Sequence, residues 1–280
     1  MDRALERIEC MRLASHRDGE RFVVAVPAHV ALCHCSSGWV CSEVLRNSGQ
    51  HRSLASMCGR SSLHDAPVNI LARYNLPPVI PGFTPRYNIC PTQEQYTILI
   101  DDDNSRRARG IRWGLVPSWS RDASSGARNI NARAESLAEK PSWEIPLRSR
   151  RCLILADGYY EWTGTGKSRV PWFFHMKEHA PFVMAGLWDR WSGGGEPLDT
   201  CTVITTEAGS RTSRFHHRMP VILPEKSADA WLDTRTGVRD ALSLLVPYES
   251  DDLECYEVSK YVNSPANDSP DCITPVERLL

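Results

Sequence analysis

Cys152-Leu153-Ile154-Leu155-Ala156-Asp157-Gly158-Tyr159-Tyr160-Glu161-Trp162 decides the fold class of this chain. An apolar first half followed by an aromatic second half reads as a buried strand that emerges near its end. Runs of the same kind occur at 97–100, 110–116, 171–176, 182–191, 201–206 and 253–258. Ser192-Gly193-Gly194-Gly195 forms a loop between two of them. Helical patterns are fewer. One covers 65–75, with Pro67 in its first turn and Val68, Leu71 and Ala72 on one face. Others lie at 134–139, 225–232 and 238–245. Few strands are separated by helices long enough for repeated βαβ crossovers. The expected fold is therefore α+β: a β-rich, barrel-like antiparallel core with peripheral helices.

Composition excludes some functions. The chain has 280 residues, 41% of them hydrophobic, enough for a large core. No apolar run approaches the roughly 20 residues that span a bilayer, so no membrane partner is expected. A formal net charge of -1 gives no global attraction to nucleic acid, so any such binding must come from a local arginine groove. The ten cysteines show no framework spacing, and buried free thiols in a reducing compartment fit most of them. Cys33-His34-Cys35 with Cys41 superficially suggests a metal cluster. It lacks the paired knuckles of zinc sites, and no metal or other cofactor is expected.

The texture changes at Met57. Residues 1–57 mix charges around one short apolar stretch, 22–32, and carry Asp2, Glu6 and Glu9 early, which argues against a secretory or organellar leader. This extension is expected to be absent from the mature protein, removed or disordered, with residues 58–280 forming the catalytic domain. Met57-Cys58-Gly59-Arg60 gives that boundary a chemical meaning. A cysteine exposed as an N-terminus carries an α-amine of pKa about 8 and a thiol of about 8.5 on adjacent carbons. An aldehyde can form a Schiff base with the one and close a thiazolidine with the other.

Three further segments bear chemistry, each with a plainer reading beside it. Asn129-Ile130-Asn131-Ala132-Arg133-Ala134-Glu135 is extended chain entering a helix, where an asparagine is either a cap or a fixed amide orienting a substrate. Arg133 could hold a phosphate through its planar fork. Glu161, among Tyr159, Tyr160 and Trp162, is either a solvent-facing edge residue or a carboxyl of raised pKa suited to proton transfer. Phe215-His216-His217-Arg218-Met219-Pro220 offers a histidine near neutral pKa, or a surface loop. Two adjacent histidines in extended chain point to opposite sides, so at most one of His216 and His217 faces a site. Gly164-Thr165-Gly166-Lys167-Ser168 ends like a phosphate loop, but a Walker motif requires glycine where Glu161 stands. Trp113, Trp119 and Trp162 lie beside these motifs and could stack on unpaired bases. Arg60, Arg112, Arg128, Arg133 and Arg218 could line a groove.

Taken in order, Met57-Cys58-Gly59-Arg60, Pro85-Arg86-Tyr87-Asn88-Ile89-Cys90-Pro91, Arg112 to Trp119, Asn131 to Glu135, Gly158 to Trp162 and His216 to Pro220 resemble the SRAP family, the SOS-response-associated peptidases or abasic-site processing proteins. The resemblance runs from Cys58 to about Pro275. It implies a β-rich, barrel-like fold and a sensor of abasic sites in single-stranded DNA, in the cytoplasm near a nucleoid or in a nucleus, not secreted; a monomer is expected because the site is complete within one chain. Cys58 would crosslink to the ring-opened sugar and Asn131 would position the sugar and the amine. Glu161 would transfer protons and take part in the self-processing that exposes Cys58, and His216 would serve the sugar oxygen during ring opening. Arg60, Arg133 and Arg218 would contact the DNA backbone; Pro91, Trp119 and Trp162 would line the groove. An accompanying AP-lyase activity is a further possibility. The alternatives are a thiol autopeptidase or hydrolase acting on peptide, and a non-catalytic single-strand-binding module.

Overall fold

The computed structural model describes residues 21–26, 29–34 and 58–277. By contact the chain divides into two units, Met1–Ser53 and Leu54–Leu280. In the first, β1 (Arg21–Val26) and β2 (His29–His34) pair antiparallel, Arg21 opposite His34. The rest of 1–57, with the side chains of Cys33, His34, Cys35 and Cys41, lies outside the described residues.

The second unit holds two sheets. In the larger, β5 (Glu94–Ile100), β6 (Arg106–Trp113), β8 (Arg151–Ala156), β11 (Phe182–Trp191) and β12 (Leu198–Glu207) follow the order β11-β8-β5-β6-β12. A further pairing of β11 with β12, Gly186 opposite Val203, closes these five strands on themselves. The barrel expected from the strand pattern is thus present. β7 (Asn131–Arg133) and β13 (Arg218–Pro220) both pair with β12. Most pairings are antiparallel, but β12 runs parallel to β6 and to β7. The smaller sheet has the order β14 (Leu253–Glu257), β10 (Val170–Met176), β9 (Gly158–Thr163), β3 (Ser61–Leu63), β4 (Arg86–Ile89).

The stretch 152–162, expected as one strand, is two. β8 ends at Ala156 and β9 begins at Gly158 in the other sheet. Asp157 makes the change. It is fully buried and its carboxylate accepts from the Ser62 hydroxyl and from the backbone N–H groups of His64 and Asp65, while the His64 ring pairs with it at 2.8 Å. A buried carboxylate is stable only with such partners, and all of them come from β3 and the residues just after it. Gly158 is required by close approach: a Cβ there would lie 2.1 Å from the Phe173 ring. Along β9 the side chains then alternate between two cores. Tyr159 joins the main cluster and Tyr160 a smaller one with Phe173, Val258, Val262 and Cys272.

The helices are α1 (Val68–Arg73), α2 (Pro141–Ser149), α3 (Glu225–Leu232) and α4 (Val238–Ser243). The pattern at 134–139 yields only a 3-10 turn, Ala134–Ser136. α2 was not legible because Pro146 lies inside it, a residue that normally ends a helix; Trp143 and Leu147 bury its inner face. Buried Arg151 opens β8 and donates to the carbonyls of Leu147, Trp231, Asp233 and Thr236, fastening the ends of α2 and α3 to the barrel.

Candidate functional site

β3 brings Cys58 to Glu161. Ser61 faces Tyr159 and Ser62 faces Gly158 in an antiparallel register, and the Tyr160 N–H donates to the Arg60 carbonyl at 3.1 Å. Carried back along the chain, that register sets Cys58 beside Glu161. The Cys58 backbone N–H donates to Glu161 Oε1 at 2.8 Å. In the intact chain this nitrogen is the peptide amide to Met57; it stands where the α-amine would be were that bond cut. Cys58 adopts φ of 44°, in the left-handed region that residues with side chains seldom occupy outside turns and functional sites.

Both partners are buried, each only 4% exposed. Burial raises the Glu161 carboxyl from its usual 4.5 to about 7, with the Cys58 hydrogen bonds and the Arg169 charge pulling the other way. The raised carboxyl expected from the aromatic setting is there, but its cause is depth in the fold. Burial, followed by the Glu161 charge, pushes the Cys58 thiol well above its ordinary value, so it is held as a thiol.

Glu161 also lines a cavity of about 320 Å³ with Trp162, Gly164, Arg169, Ser213, Phe215, His216 and His217. Its wall therefore joins two of the motifs read from the sequence. His216 is half-buried and its Nδ1 accepts the Arg218 N–H at 3.1 Å. With Nδ1 accepting, a neutral ring carries its proton on Nε2. Burial lowers the His216 pKa, which keeps the ring neutral near pH 7. His217 is exposed, its ring 4.3 Å from that of His216.

Asn131 opens β7 and is half-buried, with its backbone opposite Val203 of β12. It is not a helix cap: Arg133 precedes the 3-10 turn, without a side-chain cap bond. Glu135 in that turn accepts from both Nη atoms of Arg218 on β13, at 2.7 and 2.9 Å, and Thr205 takes a third bond. This pair crosses β12 and ties the segment after Asn131 to the segment after His216. Glu135, at the end of the Asn131–Glu135 motif, is thus an anchor for Arg218 that no local pattern signals.

The remaining expected residues are differently placed. Arg60 donates to Asn88 and to the carbonyls of Val262 and Asn263. Arg218 is 6% exposed, and its Nε has no partner among the described residues. Arg133 is exposed. Trp119 is 62% exposed, an open aromatic face, whereas Trp162 is half-buried, bonded through Nε1 to Asn263 and flanked by the guanidinium groups of Arg60 and Arg169. Pro91 is half-buried just after β4. Arg169 had no sequence signal of its own; only the return of β10 along β9 brings it back to the Glu161 edge. Among the described residues no helix is long and apolar enough to cross a membrane.

The chain is 43% identical over 222 residues to the abasic site processing protein YoqW of Bacillus subtilis, covering 78% of this chain and 99% of that one. It is 35% identical over 228 residues to the abasic site processing protein HMCES of Gallus gallus, covering 70% of this chain and 67% of that one. A crystal structure of a protein from Bacteroides thetaiotaomicron superposes with a TM-score of 0.69 at 26% identity, over 79% of this chain and all of the other. With residues 57–265 matching the family's sequence profile as well, the chain belongs to the SOS response associated peptidase (SRAP) family.

Proposed function

We infer that this protein processes abasic sites in single-stranded DNA, by crosslinking Cys58 to the lesion once the preceding residues are gone. The observation that carries the reading is the 2.8 Å contact between the Cys58 nitrogen and a buried carboxyl of pKa about 7, on the wall of a cavity shared with His216. The names of the bacterial and avian relatives supply the lesion.

The chemistry follows from the groups present. An abasic sugar is mainly a closed hemiacetal. Opening it moves a proton from the C1 hydroxyl and gives one to the ring oxygen, work for His216 and Glu161. The free amine of Cys58 adds to the aldehyde carbon and water leaves, forming the imine. The thiol then adds across C=N: the S–C bond forms and the thiol proton passes to nitrogen, closing the thiazolidine. Because amine and thiol sit on adjacent carbons, the closure has a high effective concentration. Asn131 orients sugar and amine, and Glu161 assists release of residues 1–57. Trp119 and Pro91 provide a sequence-blind surface, with Arg60, Arg133, Arg218 and Trp162 along the groove.

A thiol peptidase acting on peptide is less well supported, since a buried thiol of raised pKa is a poor source of thiolate. The test uses protein beginning at Cys58 and a uracil-excised single-stranded oligonucleotide. A heat-stable, gel-shifted adduct is expected, absent with Cys58→Ala and with protein retaining residues 1–57. If the Cys58-start protein leaves the oligonucleotide unmodified, the reading fails. An adduct-free protein that binds abasic and intact strands equally, with or without Cys58, is a simple binding module. Intact mass of protein from its native host is expected to begin at Cys58.

A further inference from the structure

The arginines around the cavity divide by whether the protein already supplies them with acceptors. Arg60 and Arg218 have their forks occupied by Asn88, Glu135 and backbone carbonyls. Arg169 has not. It is half-buried on the cavity wall with Glu161, His216 and His217; its charge acts on Glu161, but among the described residues its guanidinium donates no hydrogen bond and closes no ion pair. The group is nevertheless held: it lies over the Trp162 ring, 5.2 Å from the centroid, at the base of a tight hairpin in which Val170 faces Thr163. Gly164 and Gly166 make that turn with φ of 78° and 55°.

We propose that Arg169 is a phosphate-binding residue of this cavity, holding a phosphodiester of the strand next to the reacting sugar. This rests on the reading that the cavity takes single-stranded DNA. A guanidinium stacked on indole is pre-oriented, weakly hydrated and permanently charged, with planar donors that match two phosphate oxygens. A Glu161 that is substantially protonated near neutrality leaves that charge largely uncompensated on the wall. Arg169 also opposes protonation of both Glu161 and His216, so bound phosphate would favour proton uptake at the two groups that serve ring opening.

The experiment is fluorescence anisotropy of the full chain with a labelled single-stranded oligonucleotide carrying a tetrahydrofuran abasic analogue, which has no aldehyde and so reports binding alone. Arg169→Ala is expected to weaken binding about tenfold at ~0.1 M salt, the loss of one charge-assisted contact. The slope of log affinity against log salt should become shallower by about 0.7, one phosphate on a single strand. Arg169→Lys should retain the slope while losing part of the affinity. Arg148→Ala, at an exposed position of α2, should change neither. Unchanged affinity and slope in Arg169→Ala, with unaltered protein binding normally, would overturn the assignment alone. Failure of the unaltered protein to bind the oligonucleotide would overturn the DNA reading and this assignment together. Near-UV circular dichroism checks that each variant is folded.

Discussion

β8 and β9 are consecutive six-residue strands separated by a single aspartate, yet they have opposite duties. β8 is buried at every position and belongs to the closed barrel. β9 begins buried, ends half-exposed and carries Glu161 to a cavity beside β3. Hydrophobicity alone would have made one long strand. The change of sheet at Asp157 is what turns its second half toward solvent and chemistry, and the cost of burying that carboxylate is offset by bonds to β3 and the residues following it. β3, which with the residues after it supplies Asp157's partners, begins three residues beyond Cys58. Fold and site are therefore joined at one residue.

The sharpest way to break this comparison is to remove the joint. Asp157→Ala strands the Ser62, His64 and Asp65 donors, and a loss of about 3–5 kcal/mol is expected in urea melts. A loss below about 1 kcal/mol would mean the two strands part for another reason. Next, Ile154→Ala on β8 should cost about 2–5 kcal/mol by cavity formation. Below its melting temperature the variant should still form adduct at the normal rate, because β8 contributes nothing to the cavity. Reduced adduct in fully folded protein would erase the division of labour.

Glu161→Gln tests β9 through pH. The folded carboxyl, raised from 4.5 to about 7, holds a proton that the unfolded chain has already lost in between. Its stabilisation is complete below pH 4.5 and disappears as pH rises through 7. Glutamine has no such loss. Thus the variant should gain on the parent across pH 4.5–7, by on the order of 3 kcal/mol at most, then run parallel above. A pH-independent difference would show that Glu161 is not raised. The smallest effect is expected at the exposed rim. Trp119→Ala should leave stability within about 0.5 kcal/mol and weaken single-strand binding by about 1–3 kcal/mol, read by anisotropy.

Much of this molecule is written in local sequence. The strand at 182–191 and the helix at 225–232 appear with the boundaries their patterns predict, because a long apolar run buried on both faces and a helix with one apolar face each carry their own signal. The motif order from Cys58 to Pro220 likewise identified the family. The turn at 134–136 and α2 escaped because short elements are fixed by packing, with Pro146 tolerated where Trp143 and Leu147 are buried.

Residue types alone determined which chemistry was available: an amino-thiol precursor at Cys58, a carboxyl at 161, an imidazole at 216. Tertiary structure decided which groups meet and in what state. Only the pairing of β3 with β9 sets the Cys58 nitrogen against Glu161. Only burial raises that carboxyl, and only the neighbours of each guanidinium separate Arg60 and Arg218, internally occupied, from Arg169, left open. Protonation and hydrogen-bond saturation depend on distances between residues far apart in the chain, and no local pattern encodes those distances.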